Sequence, residues 1–211
     1  MTSGPRPVTI DLGDAQRVSG LLQAPADARA CYVLAHGAAA GMAHPFMASV
    51  AAGLAERGVA TLRYQFPYME RGSKRPDIPE LAHAVAGGKS FGGRMTSQAQ
   101  AAAPLPGVRG IAFLGFPLHP PERPSSERGR HLLDVQVPML FLQGARDELA
   151  HLELLQPLVE RLGARATLKL FADADHSFHV PARAGRKDAE VRVEMLDALA
   201  GWIDSVIRPT P

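Results

Sequence analysis

Short β-rich runs alternate with longer amphipathic segments along most of this chain, and that alternation is what most restricts its fold. Runs such as "CYVLAH" and "PMLFLQG" are almost continuously apolar, which is typical of strands buried on both faces of a parallel sheet. Their alternation with helical segments predicts an α/β fold with a mostly parallel central sheet flanked by helices. The predicted strands are 8–12, 18–23, 31–36, 59–66, 110–116, 138–144 and 166–171.

The helical segments complete this architecture. Apolar residues recur at helical spacing from Val191 to Ile207, so Trp202 is interpreted as part of the core. A chain of 211 residues with 46% hydrophobic content and no repeat or linker predicts a single domain over residues 1–211. The proline- and serine-rich segment 117–131 follows a strand and is interpreted as a loop over the carboxyl edge of the sheet. The predicted helices are 44–58, 92–103, 149–163 and 189–207.

The composition limits the kinds of binding partner and the cellular location that we expect for this protein. The 23 Lys and Arg residues nearly balance the 21 Asp and Glu residues, with both signs interspersed, so neither nucleic acid nor an anionic membrane is indicated as a partner. The N-terminus lacks the apolar stretch of a signal peptide, and no window approaches the ~18 apolar residues of a membrane span, which favours a cytoplasmic location. Cys31 is the only cysteine, so no internal disulfide and no cysteine zinc site can form.

The stretch "AGGKSFGG" (86–93) fits two different motifs. A phosphate-binding loop ending in Gly88, Lys89 and Ser90 would need a glycine at position 83, and that residue is His83. The alternative is GxSxG, a sharp strand-to-helix turn that presents a nucleophilic serine between small neighbours. The short run "HAVAG" (83–87) can supply the strand and residues 92–103 the helix. The sequence therefore favours Ser90 as a nucleophile.

A serine nucleophile needs a base, and the base needs a carboxylate to orient it. In the α/β-hydrolase arrangement these follow in the order Ser, Asp, His. Asp147 directly follows the strand 138–144, and His176 follows the strand 166–171, so both lie at carboxyl ends of strands, where ligands bind in open sheets. Asp147 is favoured as the acid and His176 as the base. Glu148 is the second choice for the acid. Asp173 and Asp175 are rival acids because they are close to the histidine in the sequence, but an immediate neighbour is poorly placed to reach its ring.

The oxyanion of an acyl-transfer intermediate needs two backbone donors. One is assigned to the N–H of Phe91, directly after the nucleophile, and the other to Ala38 in the loop "HGAAAG" (36–41). His36 precedes the serine and is interpreted as shaping this loop. His176 and His179 beside two aspartates form only a weak metal motif, so neither a metal nor another cofactor is predicted.

Tyr68 and His119 are assigned to the substrate-binding surface. For His119, as for His131, a solvated loop histidine is the competing interpretation. Tyr68 belongs to a largely basic set that either meets an acidic substrate group or forms a solvated loop. The other members are Arg63, Arg71, Lys74 and Arg75.

Six motifs span about residues 30–180: "LAHGAAAGMAHPFM", "LRYQFPYMERGSKRPD", "GGKSFGGRM", "GFPLHPPERP", "HLLDVQVPMLFLQGARD" and "DADHSF". Together they resemble the small bacterial α/β-hydrolase-like domain of the testis-expressed and non-specific-lethal-complex-subunit type, with dienelactone hydrolases as more distant relatives. The resemblance implies an α/β-hydrolase fold, Ser90 as nucleophile, Asp147 as acid and His176 as base, with no well-defined substrate. We expect no large lid.

The chain departs from that pattern in two places. Ala39 stands where the oxyanion loop of the resembling family has a second glycine, which adds strain of about 1 kcal/mol if the position needs a positive φ. The segment 67–83 contains Pro67, Pro76 and Pro79 and lacks a full crossover helix before the nucleophile strand. Either a short irregular crossover replaces that helix, or the sheet is compromised.

These observations predict a serine hydrolase that acts on an ester, a thioester or a similar small acyl compound through an acyl-Ser90 intermediate. The alternative is a catalytically silent interaction domain. In that case a protein partner or a second copy of the chain covers the surface left by the missing helix.

Overall fold

The computed structural model describes residues 4–12, 16–38, 40–70 and 84–208. Its strands are β1 Arg6–Asp11, β2 Arg17–Gln23, β3 Ala30–Ala35, β4 Val59–Tyr64, β5 Ala84–Lys89, β6 Val108–Leu114, β7 Met139–Gly144 and β8 Ala166–Phe171. Its α-helices are α1 Pro45–Ala55, α2 Pro67–Glu70, α3 Phe91–Ala102, α4 Leu152–Leu162 and α5 Asp188–Ile207.

The strands form one sheet in the order β1-β2-β4-β3-β5-β6-β7-β8. The β1–β2 and β2–β4 pairs are antiparallel, and every other neighbouring pair is parallel. The predicted α/β fold with a mostly parallel sheet is therefore confirmed. Because β3 and β5 to β8 run in one direction, their carboxyl ends meet at the same edge of the sheet, where ligands bind in open α/β folds.

Helices cover both faces of the sheet. On one face α1 and α5 pack over Tyr32, Leu34 and Leu140, and Trp202 adds to that cluster from a partly buried position. On the other face α4 packs over Phe113 and its neighbours. Strands β3, β4 and β7 are buried along their whole length, which explains their nearly continuous apolar sequence. Within the described residues no helix is long and apolar enough to cross a membrane.

Two helix boundaries differ by three residues from the sequence prediction, and the others agree to within one residue. Helix α4 begins at Leu152 instead of residue 149, because the N–H groups of Leu149 and Ala150 bond to Asp147 and form a turn. Helix α1 ends at Ala55 instead of residue 58, and Gly58, with φ of +70°, closes a turn onto Ala55. In both cases local hydrogen bonds make the helix shorter than its apolar pattern predicts.

The predicted loop 117–131 is partly wrong. It ends in a 3₁₀ helix, Glu127–Asp134, that packs on α3 and α4. Gly129 is buried there, and a Cβ at this position would lie 2.5 Å from Leu158 and 2.9 Å from Leu118. The close approach explains why a glycine stands inside this short helix.

The sheet is intact at β5, the nucleophile strand that follows the short crossover. Strand β5 bonds to β3 on one side and to β6 on the other, with Gly88 opposite Ala35 and Phe113. A compromised sheet is therefore excluded. Residues 71–83, which make up most of the crossover, lie outside the described residues, and so does Ala39.

Candidate active site

Ser90 stands in the turn between β5 and α3. Its φ of 51° and ψ of −117° form a conformation that costs a non-glycine residue about 1–3 kcal/mol. The sheet holds the turn, because the Ser90 N–H donates to the carbonyl oxygen of Leu114 at 3.2 Å. The GxSxG spacing therefore folds as the strained strand-to-helix turn that was predicted.

The flanking glycines are required by backbone contacts. A Cβ at Gly88 would lie 2.3 Å from the Ala35 carbonyl oxygen, and a Cβ at Gly92 would lie 2.5 Å from the His36 carbonyl oxygen. Any side chain at either position would push β3 away from the turn. Gly88 and Gly92 thus allow the serine to sit directly against the end of β3.

The structure brings Ser90, His176 and Asp147 into one chain of hydrogen bonds. The His176 Nε2 atom lies 2.8 Å from Ser90 Oγ, and Nδ1 lies 2.6 Å from Asp147 Oδ2. An ionised carboxylate only accepts, so Nδ1 carries the proton and Nε2 is left to accept from the serine hydroxyl. The histidine side chain is 23% exposed and the aspartate side chain is fully buried. The serine can therefore pass a proton to the histidine while the carboxylate fixes its tautomer.

The carboxylate of Asp147 is held by two further donors. Its Oδ1 accepts from the Leu149 N–H at 2.8 Å, and its Oδ2 accepts from the amide of Gln143. The Gln143 oxygen accepts in turn from the Phe116 N–H at 2.8 Å. Sequence reasoning missed Gln143, although a single polar residue inside the apolar strand "MLFLQG" was a signal, because a buried amide needs partners.

The competing acids are placed elsewhere. Glu148 is exposed. Asp175 accepts from the N–H groups of Ser177 and His179 and so closes the turn that carries the histidine. Asp173 is exposed, with φ of 58°. Of the predicted candidates, Asp147 is the carboxylate bonded to the His176 ring.

The predicted oxyanion loop lies beside the serine. A Cβ at Gly37 would come within 4.0 Å of the Ser90 Cβ, and the next residue, Ala38, is exposed. His36 is buried, with Nδ1 2.7 Å from the Gly37 oxygen and Nε2 accepting from the Phe66 N–H. This agrees with a role in shaping the loop.

The second predicted donor, Phe91, is the first residue of α3. Its ring packs edge-on against Phe66 at 5.7 Å, and Phe66 packs against the His36 ring at 4.8 Å. An aromatic contact therefore joins His36, at the start of the predicted oxyanion loop, to Phe91 at the start of α3.

The assignment of His119 to the substrate-binding surface needs correction. The residue is fully buried, its Nδ1 bonds to the Pro120 oxygen and its Nε2 accepts from the His151 N–H. With both ring nitrogens engaged by backbone, His119 fixes the loop after β6 and has no atom left for a substrate. His131 is half-buried, and its Nε2 lies 2.8 Å from Ser97 Oγ.

The basic set around Tyr68 is only partly visible. Arg63 is 1% exposed and donates to the Met42 carbonyl oxygen at 3.2 Å, so it is neither solvated nor at the substrate surface. Burial lowers the pKa of its guanidinium. Arg71, Lys74 and Arg75, together with the side chain of Tyr68, lie outside the described part of the structure.

Lys89 is a second residue of the site that sequence reasoning missed. Its Nζ donates to the His176 carbonyl oxygen at 2.6 Å. The rings of Phe46 and Phe178 lie with their centroids 6.0 and 5.7 Å from Nζ. Burial lowers the pKa of this ammonium to about 8, against the opposing field of Asp147 and Asp175.

The described residues contain no cluster of metal ligands, and a pocket lies beside this constellation. Across residues 4–12, 16–38, 40–70 and 84–208, no three His, Cys, Asp or Glu side chains cluster as metal ligands, and His179 is paired with Asp188 at 2.9 Å. A pocket of about 330 Å³ lies along residues 145–148 and 151–153. It shares Asp147 with the hydrogen-bond chain but touches neither Ser90 nor His176, so it is not the space in front of the nucleophile.

Comparison with known proteins places this chain in a family. Residues 28–204 match a family model described as an alpha/beta hydrolase domain. A dienelactone hydrolase from Anabaena variabilis is 20% identical with a TM-score of 0.73, covering 98% of this chain and all of that one. The esterase domain of a Rhodothermus marinus protein is 14% identical with a TM-score of 0.70, over the same shares.

A Xanthomonas campestris protein, described as an α/β serine hydrolase without a lid, is 19% identical with a TM-score of 0.66, covering 100% of this chain and 99% of that one. At such identities the solved structures show the fold alone. The family model covers most of the sequence, including all three residues of the hydrogen-bond chain. The chain therefore belongs to the alpha/beta hydrolase domain family.

Proposed function

We propose that this protein is a serine hydrolase that cleaves an ester, a thioester or a similar small acyl compound. The observation that carries the proposal is the hydrogen-bond chain from Ser90 through His176 to Asp147, on a strained turn at the carboxyl edge of the sheet. A strained backbone conformation persists only where the surrounding structure supports it. At Ser90 this conformation presents the hydroxyl to a base, which is a functional reason for a protein to keep it.

The chain's own groups suffice for each step. Ser90 Oγ attacks the acyl carbonyl while His176 Nε2 takes its proton, and the Asp147 carboxylate stabilises the imidazolium that forms. The N–H groups of Ala38 and Phe91 receive the oxyanion. The histidine then protonates the leaving group, and water, activated by the same histidine, releases the acid from Ser90. No cofactor takes part in the proposed reaction.

Structures of the same fold support the acyl character of the proposed substrate. The esterase and dienelactone hydrolase structures with the same fold agree with an ester or lactone carbonyl as the reacting group. The narrower kinship with the testis-expressed and non-specific-lethal-complex-subunit type rests on the sequence motifs, and it leaves the acyl and leaving groups undefined.

A fluorophosphonate probe tests the proposal, since it phosphonylates an activated serine. The wild-type protein should be labelled, and labelling should disappear in Ser90→Ala and fall at least about 100-fold in His176→Ala. Ser205→Ala is the matched control, because Ser205 lies on α5 and bonds to the Trp202 carbonyl oxygen; its labelling should stay at the wild-type level. A cooperatively folded wild-type protein that takes no label would overturn the hydrolase and leave the silent interaction domain.

A further inference from the structure

Lys89 joins the strand of the proposed nucleophile to the loop of the proposed base. It is the last residue of β5, directly before Ser90, and its stem passes Gly37, where a Cβ would lie 3.7 Å from Lys89 Cγ. The ammonium ends 2.6 Å from the His176 carbonyl oxygen. One side chain therefore spans from the strand that sets the serine to the backbone of the histidine.

The residues around the Lys89 ammonium leave space for it and attract its charge. A Cβ at Gly115 would lie 3.1 Å from Lys89 Nζ and 3.4 Å from His176 Cε1, so a glycine leaves the room in which the two residues meet. The rings of Phe46 and Phe178 lie within 6.0 Å of the same nitrogen, close enough to attract a cation by their faces. An apolar side chain of equal length would fill this space without the penalty of desolvating a charge. Packing alone therefore does not explain why a lysine stands here.

The charged form has specific support. Among the described residues, the charged or titratable groups that face the ammonium are Asp147 after β7, and Asp175 and His176 after β8. Helix α1 and the end of β6 present Phe46 and Gly115, which carry no charge. Because burial outweighs the two carboxylates, the pKa of Lys89 falls to about 8. The ammonium is therefore charged at neutral pH and loses its proton in mildly alkaline solution.

We propose that Lys89 is a positioning residue whose charged ammonium holds the His176 loop against the nucleophile turn. Its effect on rate rests on the proposed hydrolase function, whereas its effect on the loop does not. A charge-assisted hydrogen bond to a carbonyl is roughly twice as strong as a neutral one, so deprotonation loosens the loop without removing the side chain.

The first test is the pH profile of fluorophosphonate labelling in two variants. Wild-type labelling should decline on the alkaline side, with a midpoint at about pH 8. Lys89→Met keeps the length but has neither charge nor donor, so its labelling should be about 10-fold to 100-fold slower at neutral pH and should lack the alkaline decline. Lys89→Arg keeps the charge and the hydrogen-bond donor. It should therefore recover most of the labelling rate and show no decline in labelling near the wild-type midpoint.

The second test is independent of chemistry. Amide hydrogen exchange of residues 172–180 should be faster in Lys89→Met than in the wild type, and unchanged in the control Lys169→Met, whose side chain pairs with Glu194. Unchanged exchange in Lys89→Met, or an alkaline decline that persists in this variant, would overturn the positioning role. If the wild type takes no label but Lys89→Met exchanges faster, the hydrolase proposal fails while the positioning role stands.

Discussion

Replacing Gln143 by leucine should lower the free energy of unfolding far more than the loss of an exposed side-chain amide would. Gln143 is fully buried on β7, where its oxygen accepts from the Phe116 N–H and its nitrogen donates to the Asp147 carboxylate. Leucine has a similar volume and no polar atom. The substitution therefore leaves a buried backbone donor without an acceptor and removes one donor from a buried carboxylate.

The magnitude follows from these two losses. An unsatisfied buried donor costs about 1–3 kcal/mol, and a hydrogen bond to a charged group contributes about 1.5–3 kcal/mol. Burial of a leucine side chain returns about 1.5–2 kcal/mol. We expect a net loss of about 2.5 kcal/mol in the free energy of unfolding, which is the centre of these ranges. We also expect slower labelling of Ser90, because the acid that orients His176 is held by fewer groups.

Urea unfolding followed by the fluorescence of Trp202, the one tryptophan of the chain, measures this loss as a lower transition midpoint. The control is Gln136→Leu, because Gln136 is exposed and bonds to the Asp134 carbonyl oxygen at 3.1 Å; it should change the free energy of unfolding by less than about 0.5 kcal/mol. Equal midpoints for the two variants would show that the amide of Gln143 does not link Phe116 to Asp147, and the reasoning would fail.

Further changes test the backbone contacts and the buried thiol. Gly88→Ala should destabilise the protein by about 3 kcal/mol or more, because the new Cβ would lie 2.3 Å from the Ala35 carbonyl oxygen. Gly201 is exposed in α5 with open space around it, so Gly201→Ala should stabilise the protein by about 0.5–1 kcal/mol. A urea titration that ranks the two variants in the opposite order contradicts the clash argument. Burial raises the pKa of the Cys31 thiol to about 11, so Ellman's reagent near neutral pH should react only after denaturation, and rapid reaction of the folded protein would refute this.

The fold was predictable because its signals are local. Continuous apolar runs such as β7 and an amphipathic helix such as α5 are visible in single segments, and the architecture follows from their alternation. Boundaries were less accurate where side chains or turns end an element. Asp147 delays the start of α4 by accepting from the Leu149 N–H, and no periodicity of the apolar residues reports such a bond.

The candidate site was predictable to the extent that strand ends are. Ser90, Asp147 and His176 each follow a strand, and in a parallel sheet those ends meet at one edge, which is why their meeting could be expected from their order. The burial of His119 could not be predicted in this way, because it depends on a contact with the His151 N–H from the loop before α4. Contacts between loops of different strands are set by the assembled sheet and leave no pattern in either segment.

The strained turn at Ser90 depends on the sheet more than on the segment that precedes it. Strand β5 is bonded on both sides, to β3 and to β6, and the Ser90 N–H itself bonds to β6 at Leu114. A residue fixed by two neighbouring strands cannot relax its φ without breaking sheet hydrogen bonds, and each break would cost about 0.5–1.5 kcal/mol, comparable with the strain that it relieves. The unusual sequence of residues 67–83 therefore leaves the geometry of the turn intact, because that geometry is determined at the carboxyl edge, where Lys89 and Gln143 add hydrogen bonds to the same network.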